Sequence, residues 1–302
     1  MKLLIIGATG QVGRELATAL AGDDFVLTTR SGAFDGTVTC LPLDVSNLPD
    51  VRHTIDSVGA DIVINASAYT AVDRAESEPE LAFRVNAEAV GAMAEACRAS
   101  GARFVHFSTD YVFDGSSRAP YTESAPTRPL GVYGMSKLAG EEAVLASGVD
   151  HLILRTAWVY ATHGQNFLLT MLRLAADREE LRIVDDQRGC PTPARWIAET
   201  TAALVQHGAR ASGIVNVVAA GQTTWCGFAN AIFDESLRLG LLDRAPRVVP
   251  IPTSGYPTPA QRPAYSVLDT ARLRSFGIDP PDWRNGLVAE LSRLRDPAAG
   301  MR

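Results

Sequence analysis

The sequence predicts an α/β fold: a doubly wound, mostly parallel sheet with a smaller lobe built from the C-terminal part of the chain. Three observations predict it. Short apolar runs alternate with stretches of helical length as far as residue 155, the pattern of parallel strands joined by helical crossovers. The first run breaks into a turn with glycines at positions 7, 10 and 13, and a helix follows at once. The carboxyl ends of the runs turn small, polar or hydroxylic, and ligands of open parallel sheets bind outside those ends.

Residues 3–6 form the apolar first strand. Gly7, Gly10 and Gly13 then permit a tight turn, close approach of the backbone to an anion, and close strand–helix packing. Gln11 and Val12 lie inside this turn, and the first helix is expected over 14–21. The anion that fits is the pyrophosphate of a dinucleotide, which makes the sheet Rossmann-type; a plain tight turn is the other reading. Residues 25–29 are the second strand, followed by Arg30 and Ser31. An NAD site usually carries an acid here for the ribose 2′-hydroxyl, and none is present. Arg30 and Ser31 suit a 2′-phosphate instead, so NADPH is preferred, with NADH as the alternative. Residues 39–43 form a third strand with Asp44 and Val45 at its end, beside the expected adenine; Ser46 or Asn47 is expected to cap the next helix, to residue 58.

Residues 61–68 read as a fourth strand whose small ending (Ala66, Ser67, Ala68, then Tyr69 and Thr70) lets backbone approach a cofactor. A long helical region over 72–98 carries Asn86, with Leu81, Val85, Val90 and Met93 as core positions. The fifth strand, from Phe104, ends on Ser108, Thr109 and Asp110, followed by Tyr111; His106 within it reads as structural. After a loop rich in Pro and Gly, Tyr133 and Lys137 stand one helical turn apart on one face. A phenol, an ammonium and a strand-end hydroxyl brought together can protonate a carbonyl oxygen while hydride arrives from elsewhere. Residues 151–155 are the sixth strand; Trp158, just beyond it, fits either a core aromatic or a substrate contact. Helices at 166–176, 194–207 and 283–294, a strand near 214–218 and a proline-rich stretch over 246–263 complete the chain. The expected division is a dinucleotide-binding domain over 1–160 and a mainly substrate-binding lobe over 161–302, some of whose segments return to the core.

The formal net charge of −6, with no basic block, speaks against nucleic acid or an anionic membrane as partner. Cys40, Cys97, Cys190 and Cys226 form no C-x-x-C pair and read as reduced thiols, not as a disulfide framework or zinc site. No apolar run approaches the ~20 residues of a membrane helix, and the first apolar run is too short for a signal-peptide core. A cytoplasmic location is expected.

The glycine motif together with Tyr133-x-x-x-Lys137 resembles the extended short-chain dehydrogenase/reductases. Within them the chain is similar to the dTDP-4-dehydrorhamnose reductase family. That likeness is carried by G-A-T-G-Q-V-G, V-D-R-A-E-S-E-P, S-T-D-Y-V-F-D-G, V-Y-G-M-S-K-L-A-G-E, R-T-A-W-V-Y, D-D-Q-R-G-C-P-T and Y-P-T-P-A-Q-R-P, and it spans nearly the whole sequence. The resemblance implies NAD(P)H-dependent reduction of a dTDP-sugar in dTDP-L-rhamnose biosynthesis, a supply line for O-antigen. It implies Tyr133 as proton donor. Lys137 would hold the nicotinamide ribose and lower the tyrosine pKa. Thr109 would bond the substrate near its keto group, with Asp110, Tyr111 and Trp158 along the sugar. Gly10, Gln11, Val12, Arg30, Asp44, Val45 and residues 66–70 would contact the dinucleotide.

Some members pair into dimers through a metal held by acidic side chains. Glu15 matches one of those positions, but Arg195 stands where another acid is expected, so no metal is expected in the chemistry and the chain is expected to be a monomer or homodimer. Two other readings share the fold: a nucleotide-sugar epimerase or dehydratase, and a non-catalytic regulatory subunit. A dehydratase typically has paired acids after the threonine, whereas Tyr111 follows Thr109-Asp110 here. A regulatory subunit often loses part of the catalytic set, which is intact here.

Overall fold

The computed structural model describes residues 1–34, 39–208 and 211–296. In chain order the first half contains β1 (Lys2–Ile6), α1 (Gln11–Ala19), β2 (Asp24–Thr29), β3 (Cys40–Pro42), α2 (Leu48–Val58) and β4 (Ile62–Asn65). Then come α3 (Val72–Ala75), α4 (Pro79–Phe83), α5 (Ala89–Ser100), β5 (Arg103–Thr109), α6 (Val132–Ser147) and β6 (His151–Thr156). The remainder contains β7 (Val159–Tyr160), α7 (Phe167–Asp177), β8 (Glu180–Val184), β9 (Arg188–Gly189), β10 (Thr192–Pro193) and α8 (Ala194–Gln206). It ends with β11 (Gly213–Asn216), β12 (Thr223–Thr224), α9 (Trp225–Arg238), β13 (Arg247–Ile251), α10 (Ala271–Ser275) and α11 (Trp283–Arg295).

Seven strands form one sheet in the order β11-β6-β5-β4-β1-β2-β3, every neighbouring pair parallel. The order reverses at β1, so the crevice outside the ends of β1 and β4 is the switch point where ligands of such sheets bind. Both faces are covered, which is why the strands read as continuous apolar runs. Successive residues of β1 serve opposite layers. Leu3 and Ile5 pack with Leu16, Ile197 and Leu204 of α1 and α8, whereas Leu4 and Ile6 pack with Val51, Ile55, Val90 and Met93 of α2 and α5. The C-terminal lobe has its own core around Tyr160, Leu168, Phe228, Ile232, Phe233 and Leu287, and a parallel β8–β13 pair lies against α9. Through β11 and α8 the C-terminal part of the chain also completes the main sheet and its layer.

Four local expectations are corrected. Helix α1 starts at Gln11 rather than at residue 14, because Gly10 in extended backbone is already its N-cap. Asn47 takes the N-cap position of α2, but its side chain accepts no cap bond: its amide donates to Asp50 at 2.6 Å, and Ser46 turns back onto Asp44. The region 72–98 is not one helix. It breaks before Pro79, and from there it runs to Ser100 through a π-helical turn over Arg84–Glu88, where the Asn86 side chain exchanges hydrogen bonds with the Tyr69 backbone. Leu81 is not core; it is 43% exposed on the short α4.

Candidate active site

Parallel strands carry everything that follows a strand to one edge. Gly7 to Val12 follow β1, Arg30 and Ser31 follow β2, Asp44 and Val45 follow β3, Ala66 to Thr70 follow β4, and Thr109 ends β5. These expected contacts therefore share one rim. The glycine turn there is built for close approach. Gly7 has φ +87°, and a Cβ on Gly13 would come within 2.2 Å of the Gly7 carbonyl oxygen. A Cβ on Gly7 would likewise strike the Ser67 backbone at the end of β4, so glycine keeps this turn tight and close to β4 and α1, and the turn at the N-terminus of α1 fits a dinucleotide pyrophosphate. The Gln11 side chain is committed elsewhere, accepting from Asn166 Nδ2 at 2.8 Å and tying α1 to the C-terminal lobe. Arg30 and Ser31 are exposed, and Arg30 lies near enough to Asp44 to favour its charge, which two bonds from Ser46 favour more strongly.

Helix α6 brings Tyr133 and Lys137 to the end of β5. The Val132 amide at its start donates to Glu76 at 2.8 Å, which satisfies a donor left open by the helix. Gly140 lets the helix lie directly on the π turn: a Cβ there would meet the Asn86 carbonyl oxygen at 2.1 Å. Asn86 then bonds Ser136 at 3.0 Å. Lys137 is 2% exposed, with Nζ 2.6 Å from the Phe107 carbonyl oxygen and 3.2 Å from His106 Nε2. Burial lowers its ammonium pKa to about 8, against the pull of Glu141. The Tyr133 ring meets Tyr111 edge-on at 5.6 Å.

Burial pushes the Tyr133 phenol up to about 12, and the nearby Asp110 carboxylate adds to that, while a Thr109 hydroxyl opposes it. Lys137, expected to lower the phenol, directs its Nζ to the Phe107 carbonyl of β5 and to His106.

Asp110 is itself buried, and burial raises its carboxyl from 3.8 to about 6 against the Ser266 and Thr109 hydroxyls. A carboxyl whose folded pKa is raised stabilises the fold most below its unfolded pKa, and loses that contribution as pH rises through the folded value. Asp110→Asn should therefore gain stability relative to the parent between about pH 4 and pH 7.5, by up to about 3 kcal/mol. Thermal unfolding of both proteins across that range checks this; a gap that does not change with pH contradicts it.

Beyond the β5 end the C-terminal lobe supplies a second wall. Trp158 is the one non-glycine residue with positive φ (+47°) among those described, and it stacks on Trp225 with centroids 3.5 Å apart. Strained backbone of this kind persists where the surroundings over-determine it, often at ligand sites. Trp225 also donates to Gln187 and lines a cavity of about 400 Å³ with Phe167, Met171, Tyr256 and Arg262. Arg262 pairs with Asp73 at 2.7 Å and lies beside Tyr111, so it joins the cavity to the strand-end site. Gln187, Trp225 and Arg262 had no assigned place in the sequence reading. The only signal was that Gln187 lies in D-D-Q-R-G-C-P-T and Arg262 in Y-P-T-P-A-Q-R-P; Trp225 lies in neither.

At the positions where a bridging metal would be held, the side chains are paired within the chain. Glu15 is buried and held by Arg293 at 3.3 Å and His163 at 3.1 Å, and Arg293 also binds Glu290. Arg195 pairs with Glu199. Among the described residues no group of three or more His, Cys, Asp or Glu side chains could hold a metal ion.

Residues 1–295 match the family model described as the RmlD substrate binding domain. The chain belongs to that family. A dTDP-4-dehydrorhamnose reductase of Burkholderia thailandensis is 50% identical over 299 residues, covering 94% of this chain and 96% of the relative. The dTDP-4-dehydrorhamnose reductase of Escherichia coli strain K12 is 44% identical over 298 residues, covering 97% and 98%. Among solved structures, a dTDP-4-dehydrorhamnose reductase from Bacillus anthracis in complex with NADP superposes with a TM-score of 0.88 at 32% identity. It covers 97% of this chain and 99% of that one. No described helix is long and apolar enough to cross a membrane.

Proposed function

We propose that this protein reduces the C4 keto group of dTDP-4-dehydro-6-deoxy-L-mannose to dTDP-L-rhamnose with NADPH. The observation that carries the reading is one rim holding the glycine cradle, Arg30, Thr109, Tyr133 and Lys137, in a chain up to 50% identical to proteins named for that activity. When bound, NADPH supplies the hydride for C4. The chain's own residues do the rest. Tyr133, kept protonated by burial and by Asp110, gives its proton to the carbonyl oxygen as negative charge develops there. The Thr109 hydroxyl hydrogen-bonds the same oxygen or its neighbour, which orients the sugar and spreads the charge. Lys137 holds the nicotinamide ribose. Trp158, Asp110 and Tyr111 line the sugar, and the cavity beyond Trp225, with Arg262 at its edge, accommodates the dTDP portion.

Arg30 and Ser31 contact the 2′-phosphate. Arg30→Ala should weaken NADPH by roughly 10- to 100-fold, the worth of one charge-assisted hydrogen bond, and leave NADH nearly unchanged. Paired titrations with the two dinucleotides check this; equal loss for both removes Arg30 from the phosphate site. The reaction itself is tested by product analysis: dTDP-L-rhamnose with one NADPH consumed per sugar. A folded protein that interconverts sugar epimers without net oxidation of the dinucleotide belongs to the epimerase reading instead.

A further inference from the structure

The loop between β7 and α7 is docked along α1 by side chains that the proposed reaction leaves unused. Gly164 takes φ +76°, and a Cβ there would stand 3.2 Å from Gln11 Cγ, so the loop backbone lies directly on the Gln11 side chain. One turn further along α1, Glu15 is held by His163 of the same loop at 3.1 Å. The loop ends on Asn166, the N-cap of α7, whose side-chain oxygen accepts from the Leu169 amide at 3.0 Å. A backbone N–H can only donate, so that bond fixes which way the Asn166 amide points. The two hydrogens of its Nδ2 are left to three acceptors: Gln11 Oε1 at 2.8 Å, and the Ala161 and His163 carbonyls at 2.9 and 3.1 Å. The bond to Gln11 therefore forms in competition with the loop's own carbonyls.

Gln11 serves two sites at once. It is the first residue of α1, directly after the glycine turn. The first amide donors of a helix have no partner within it, so the Gln11 backbone belongs to the anion site while its side chain holds Asn166. Asn166 in turn sets the first turn of α7: the Thr170 hydroxyl donates to its carbonyl at 2.8 Å, and Phe167, Thr170, Met171 and Leu174 form one wall of the cavity beyond Trp225. We propose that Gln11 and Asn166 are positioning residues that couple the two sites. A dinucleotide pyrophosphate in the glycine turn fixes Gln11, favours its bond to Asn166 over the competing loop carbonyls, and so orders the α7 wall for a nucleoside diphosphate. This rests on the placement of the dinucleotide and of the dTDP portion in the reductase reading. A second ligand that meets an already ordered wall loses less conformational entropy on binding, which is positive cooperativity. By linkage the effect is reciprocal, each ligand tightening the other by the same factor. The sugar nucleotide then binds best to protein that already carries its hydride donor.

The test is calorimetric titration of the full chain with dTDP, with and without saturating NADP⁺, and the converse titration of NADP⁺ with and without dTDP. In the parent protein each ligand is expected to tighten the other by one common factor, at least about fivefold. Gln11→Met keeps the side-chain length and a good helix former but has no acceptor; Asn166→Ser keeps a cap oxygen but has no amide to reach Gln11. Either should bring the factor to within about twofold of unity, and the double variant should lower it no further, because both remove one bond. Gln11→Glu retains an acceptor, so it should weaken NADP⁺ through its charge beside the pyrophosphate yet keep the factor. The factor is a ratio taken within each variant, so a general loss of affinity or stability cancels from it. A parent whose dTDP affinity is the same with and without NADP⁺, or a Gln11→Met protein with the full factor, overturns the coupling and leaves the reductase reading standing. A parent that binds NADP⁺ but no dTDP overturns both.

Discussion

Tyr133→Phe should lose on the order of 10²–10⁴ in kcat while binding NADPH with nearly unchanged affinity. The ring is retained, so its edge-on contact with Tyr111 survives and the fold has no reason to change. Only the hydroxyl disappears, and with it the proton that must reach the substrate oxygen as the hydride arrives. The raised phenol pKa of about 12 strengthens the expectation, because it leaves the tyrosine protonated across the working range. Activity should then fall on the alkaline side through the lysine near pH 8, well before the tyrosine ionises. Steady-state kinetics and dinucleotide titration on the variant decide it. Unchanged kcat would remove Tyr133 from the chemistry, and equal loss of NADPH binding would make it a cofactor contact.

The second large effect concerns stability. Arg155 of β6 and Glu141 of α6 form a buried bidentate pair, with bonds of 2.9 and 2.6 Å. Arg155 also donates to the Glu123 carbonyl and lies over the Phe113 ring, so it joins the sheet, the helix of Tyr133 and Lys137, and the loop between them. Arg155→Met leaves the Glu141 charge buried and alone, which costs about 3–5 kcal/mol. The melting temperature should fall by roughly 10 °C. Adding Glu141→Leu removes the stranded charge and should recover much of the loss, since a pair replaced by apolar side chains is often near neutral. A single variant that loses less than about 1 kcal/mol would show that the pair is solvated in solution.

The sheet was legible in the sequence because strands covered on both faces are almost wholly apolar, and because a parallel order sends every strand end to one rim. Gly7, Arg30, Asp44, Ala66 and Thr109 could be gathered there without knowing a single contact. The corrections come where a local pattern has two physical solutions. Periodicity across 72–98 suits one helix, yet Asn86 satisfies the Tyr69 backbone and opens a π turn that no propensity announces. Asn47 is a good cap by type, but Asp50 competes for its amide. Arg262 could not be read at all. Its partner Asp73 lies 189 positions away in α3, and Arg262 sits in a loop without period.

The most direct test is to mix the purified protein with dTDP-4-dehydro-6-deoxy-L-mannose and NADPH, follow NADPH oxidation, and identify the product. The account predicts stoichiometric oxidation with dTDP-L-rhamnose as the product, faster with NADPH than with NADH. A folded protein that binds NADPH but neither oxidises it nor changes the sugar would contradict the proposed reaction.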